Sequence, residues 1–122
     1  MTLKELYENI DGNYDQVIRV LRMEKLIDKH IRKVTQGGVI DKLLAAGKNM
    51  DPTEMFETAH TVKGFTANLG LTKLSELASQ ISEEFRPGKP RTMSDDEVAQ
   101  KLSEMDALYQ KTVEGIRQYI EG

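Results

Sequence analysis

The chain has 122 residues, 39% of them hydrophobic and 30% charged, with a net charge of -3; this fits one surface-rich domain over residues 1–122 and leaves no general electrostatic pull toward nucleic acid or anionic lipid. Cysteine is absent, which excludes disulfides, thiolate zinc sites and cysteine nucleophiles. No apolar run approaches the length of a membrane span, and the opening Met1-Thr2-Leu3-Lys4-Glu5 does not read as a signal peptide, so no membrane partner and a cytoplasmic location are expected.

Helical periodicity runs through the chain and no alternating strand pattern competes with it. Thr2-Leu3-Lys4-Glu5 reads as a capping box opening a short helix to about Asn9. Asp11-Gly12-Asn13 is a turn, and Asn13 caps a second helix with Gln16 at its third position and Val17, Val20 and Leu21 as its apolar side. A third helix from about Met23 to Thr35 carries Leu26, Ile27, Ile31 and Val34, and Gly37-Gly38 breaks it. A short helix with Val39, Ile40, Leu43 and Leu44 ends near Gly47.

Residues 52–70 predict the next helix: Asp51 caps it, Pro52 suits its first position and Glu54 its third. Gly70 stops it, and Thr72 is expected to cap a helix with Leu74, Leu77, Ala78, Ile81 and Phe85 on one side. Arg86 to Arg91 holds two prolines and a glycine and is a loop. Ser94-Asp95-Asp96-Glu97 is a further capping box, after which Val98, Leu102, Met105, Tyr109, Thr112, Ile116 and Ile120 form one stripe. These elements predict an all-α fold, an antiparallel four-helix bundle with additional short N-terminal helices.

His60 stands out within the helix that begins at Pro52. Met55, Ala59, Val62, Thr66 and Leu69 make one stripe that should face a core, and His60 lies about 140° from its centre, toward water. Lys63 shares its face, and Gly64 and Ala67 are small enough to leave room for a visitor. Phe56, one turn before His60 and about 40° around the helix, is a candidate apolar contact for such a visitor; packing on the rim of the bundle is the equal alternative.

Other chemistries find less support. The two histidines, His30 and His60, have no ligand partner beyond a possible pairing of Glu57 with His60, a spacing common on exposed helices. No nucleophile–base–orienter signature or phosphate-binding glycine pattern occurs. Lys29, His30, Arg32 and Lys33 read as a solvated helix face, with His30 at the rim of the core.

Ala59-His60-Thr61-Val62-Lys63-Gly64, followed by Ala67-Asn68-Leu69-Gly70-Leu71, resembles the signature of histidine-containing phosphotransfer domains. The likeness is dense over about residues 56–77, and Leu6 to Gly12 is similar to stand-alone bacterial members. The resemblance implies a helical bundle in which His60 is the phosphoacceptor and Lys63 steadies the phosphoryl group. It also implies that Gly64 is the small residue admitting the partner, with Asn68 and Gly70 at the helix end. Phe65 and Thr66 stand where many relatives carry Ser-Ala. The position of a glutamine that in some relatives contacts the histidine falls on Ser82, and Arg86, one turn on, is a candidate source of positive charge at a partner surface.

The chemistry suits those residues. Neutral imidazole is a nucleophile, and a phosphorylated imidazole is a good phosphoryl donor once its ring is protonated. Phosphoryl transfer depends mainly on in-line positioning and charge neutralisation. The expected function is therefore a relay: a phosphoryl group arrives from a receiver-domain aspartate or a sensor kinase, a hybrid kinase included, and leaves for a response-regulator aspartate. No cofactor is expected on this chain, and the magnesium ion is expected on the receiver partner. The alternative is a helical module that docks receiver-like domains without being phosphorylated; a metal-binding bundle built on His60 and Glu57 is more remote.

Overall fold

The computed structural model describes residues 1–122. It contains α1 (Leu3–Asn9), α2 (Tyr14–Leu21), α3 (Glu24–Lys33), a 3₁₀ turn (Val34–Gln36), α4 (Val39–Ala46), α5 (Pro52–Asn68), α6 (Thr72–Glu84) and α7 (Asp95–Glu121), with no strand. No helix is long and apolar enough to cross a membrane.

The helix starts follow the local chemistry. Both reciprocal bonds of the capping box are made at Thr2 with Glu5 and at Ser94 with Glu97, and Asn13 accepts from the Gln16 backbone. At Gly37 and Gly38, φ values of +78° and +116° separate α3 and its 3₁₀ turn from α4, a backbone path that glycine adopts without a Cβ penalty.

Helices α5 and α6 form an antiparallel hairpin with the most extensive packing in the molecule. Gly70 closes it at φ +69°, and a Cβ there would lie 2.5 Å from the Asn13 carbonyl oxygen. Helix α7 returns along α6. The bent α3–α4 segment runs antiparallel to α7: Tyr119 Oη donates to Asp28 Oδ1 at 2.7 Å near one end, and Gly47 abuts Leu102 near the other. These four members surround one core in which Leu43, Met55, Val62, Ile81, Met105 and Ile116 are wholly enclosed.

The short N-terminal helices close the hairpin end of the bundle. Tyr7 is buried and its hydroxyl donates to the Leu69 carbonyl at 2.6 Å, while the Asn13 backbone N–H donates to the Gly70 carbonyl at 2.7 Å. Asp11 Oδ2 accepts from Lys111 Nζ at 2.9 Å and Lys73 Nζ at 3.3 Å, joining three elements at the surface. The α6–α7 loop is held differently: the buried Glu84 carboxylate accepts from the backbone N–H groups of Met93 and Thr92 and from the Thr92 hydroxyl. The Met93 N–H, with the Thr92 groups behind it, holds the Glu84 carboxyl below its ordinary pKa.

Several expected positions differ. Val20, Leu26 and Ile120 are 49%, 38% and 40% exposed. Val17 seats α2, Ile27 and Ile31 seat α3, and at the end of α7 it is Tyr119 that turns toward α3, so the neighbouring aliphatic side chains face outward. Thr72 does not cap α6. Leu71 takes the cap position because its side chain is drawn into the core, and the Thr72 hydroxyl donates to the Gly70 carbonyl at 3.4 Å. The third helix ends at Lys33, its last turn tightening into the 3₁₀ geometry common at helix ends.

Candidate functional site

The site rests on α5. Asp51 Oδ2 accepts the Glu54 backbone N–H at 3.0 Å and Pro52 occupies the first turn. Met55, Ala59, Val62, Thr66 and Leu69 are all buried, as the stripe required. The one polar member, Thr66, is satisfied by donating its hydroxyl to the Val62 carbonyl at 2.7 Å. With that side of the helix committed to the core, His60 is exposed on the other.

The imidazole lies against an aromatic ring of its own helix. The Phe56 ring stacks on it with centroids 5.7 Å apart and an interplanar angle of 19°. Phe56 itself is half-buried and packs on the core from its rim position. The neighbouring hydroxyls are turned back to the backbone: Thr58 donates to the Glu54 carbonyl at 2.7 Å and Thr61 to the Glu57 carbonyl at 3.0 Å.

Around His60, Lys63 and Gly64 are exposed and Ala67 is half-buried. A Cβ on Gly64 would meet nothing within 4 Å, so the space over this part of the face is open. Ala67 keeps a small side chain outward while its carbonyl accepts from Gln16 Nε2 at 3.0 Å. On the α4 flank a shallow groove is lined by Val39, Lys42, Glu57, Thr58 and Thr61. It brings Lys42, which sequence spacing did not single out, to the same side of the bundle as Glu57 and Thr61.

Two further candidate residues lie on and just beyond α6. Ser82, at the position where some relatives place an amide, is largely buried in α6. Arg86, just beyond the end of α6, is exposed and ion-paired with Glu83. His30 is half-buried at the rim and lines a second groove with Leu21, Phe65, Asn68 and Leu69. Glu57 and His60 gather no third imidazole or carboxylate around them. A larger concavity of about 520 Å³ opens between α1, α2 and α6, around Lys4, Asp11 and Glu76, remote in sequence from His60. The Phe56 stack was the main feature that spacing alone left open; its only sequence signal is an aromatic four residues before a histidine on a helix.

This arrangement, an exposed imidazole with a neighbouring cation and clear space on a rigid helix, suits nucleophilic attack on a group carried by a second macromolecule. No curated protein and no solved structure matches the chain. The family model described as the Hpt domain matches residues 22–118. Hpt domains interact with receiver or response-regulator and kinase partners. The chain therefore belongs to the Hpt domain family, which indicates histidine phosphotransfer in two-component signalling.

Proposed function

We propose that this chain is a single cytoplasmic phosphotransfer domain spanning residues 1–122, and that His60 is its phosphoacceptor. The observation that carries the reading is the exposure of His60 on a helix whose opposite side is wholly buried, with open space over Gly64. A ring nitrogen of His60 donates its lone pair to the phosphorus of a receiver's aspartyl phosphate. The N–P bond forms as the acyl P–O bond breaks, and the aspartate carboxylate leaves with that bond's electron pair. The same step in reverse delivers the phosphoryl group to another response-regulator aspartate. A sensor kinase, including one of hybrid type, is the alternative donor.

Lys63, one turn from His60, offsets phosphoryl charge, and Gly64 and Ala67 let the partner approach closely enough for in-line attack. Phe56 supplies apolar surface at the edge of the docking face. Arg86, held by Glu83, contributes charge to a partner at the periphery and not at the phosphorus. Magnesium belongs to the receiver, and this chain requires no cofactor of its own.

The test is transfer of label from phosphorylated receiver domains. Acid-labile label should appear on the unaltered protein and be lost in His60→Gln, with helical circular dichroism unchanged because the side chain packs little. Label taken up at the normal rate by His60→Gln, on His30, would overturn the assignment.

A further inference from the structure

We propose that Phe56 is a positioning residue for the His60 imidazole, holding its ring in one orientation for attack; this rests on His60 being the phosphoacceptor. Three observations converge. The Phe56 and His60 rings are near parallel, at 19° and 5.7 Å. Phe56 is seated on the core, so it is a fixed platform and not a second mobile side chain. The neighbouring hydroxyls on α5 that otherwise orient a histidine are turned elsewhere: Thr58 and Thr61 are tied to backbone carbonyls.

An exposed histidine has two rotatable side-chain torsions, and in-line transfer tolerates little angular error. Offset stacking between aromatic rings is favourable in a defined geometry. A ring anchored beneath the imidazole therefore narrows its rotation while leaving its edge, which carries the nitrogens, free to meet phosphorus. An aliphatic side chain of similar bulk keeps the rim packed without imposing that plane.

Phosphoramidate, a small phosphodonor, separates positioning from docking because it needs no protein surface. A His60 nitrogen forms the N–P bond, the donor's P–N bond breaks, ammonia leaves, and the ring releases its proton to solvent. In Phe56→Leu the saturating rate of labelling at His60 should fall about three- to ten-fold, the range expected from loss of one aromatic pair, with little change in the donor concentration giving half that rate. Phe56→Tyr should restore it. The carbon-bound ring protons of His60, observed by NMR, should lose their aromatic ring-current displacement in Phe56→Leu and keep it in Phe56→Tyr. If unaltered protein is labelled at His60 and Phe56→Leu matches it in rate, or if Phe56→Tyr is as slow as Phe56→Leu, the positioning role is wrong and the phosphoacceptor reading stands. If unaltered protein takes no label at His60 from either phosphoramidate or phosphorylated receivers, the phosphoacceptor reading fails and takes the role with it.

Discussion

Helix α5 is open along one stretch and fastened at its end. Around His60, Lys63 and Gly64 nothing from the rest of the chain covers the outer face. Two turns later the carbonyls of Ala67, Leu69 and Gly70 are each taken by Gln16, Tyr7 and Asn13. On the proposed docking role, the two stretches divide a single task. A docking face must give up no contacts when a partner arrives, so its rigidity has to come from the buried stripe beneath it and from the clamped end beyond it.

The largest expected effect breaks the open stretch. Gly64→Gln should reduce transfer from a phosphorylated receiver by about 100-fold or more, because one side chain in the approach path displaces the in-line geometry. Its melting temperature should hold or rise, since glycine is a poor helix residue and a Cβ at this site meets nothing. Near-normal transfer in the folded variant would place the partner over a different face.

Next in size is the clamped end. Gly70→Ala forces a side chain onto φ +69° and to within 2.5 Å of the Asn13 carbonyl oxygen. A stability loss of about 3 kcal/mol is expected from strain plus overpacking, measured by urea unfolding, with label uptake at His60 retained in the folded fraction. A loss under about 1 kcal/mol, less than positive-φ strain alone usually costs, would show that the N-terminal segment yields freely and is no clamp.

The smallest effect sharpens the contrast through pH. Hydrogen bonds from Lys111 and then Lys73 hold the Asp11 carboxyl below its ordinary pKa. Its contribution to stability is therefore full above the unfolded carboxylate's pKa of about 4 and is lost as pH falls through the lower folded value. Asp11→Asn, which tolerates the local φ of +57°, should flatten the stability profile only in that acid window. At neutral pH the change should be slight and should shrink with salt, because the cluster is solvent-exposed. An unchanged acid profile would remove Asp11 from the clamp.

The open stretch was far more legible in the sequence than the clamp. Capping residues and 3.6-residue periodicity act within a turn or two, so Asp51, the buried stripe of α5 and the outward direction of His60 follow from spacing. The clamp joins Tyr7 to Leu69 and Asp11 to Lys111, pairs far apart in the chain that share no local pattern. The same limit explains Val20, Leu26 and Ile120. Periodicity identifies an apolar side of a helix, but how much of that side is covered depends on neighbours: Val17 on α2, Ile27 on α3 and Tyr119 at the end of α7 meet the rest of the bundle, and the aliphatic side chains beside them do not. At Thr72 a favourable local cap yielded to burial of Leu71, a tertiary effect overriding a propensity.

His60 is the ninth of the seventeen residues of α5. The partial charges of a helix are concentrated at its ends and fade within one turn, so the middle of the helix offers a bound anion neither the attraction of the N-terminus nor the repulsion of the C-terminus. A phosphoryl group on His60, as proposed, would gain no deep electrostatic well from the backbone. On the proposed role of His60 as phosphoacceptor, the helix backbone then neither traps the phosphoryl group nor expels it, and what holds it on the ring is left to side chains and to the partner.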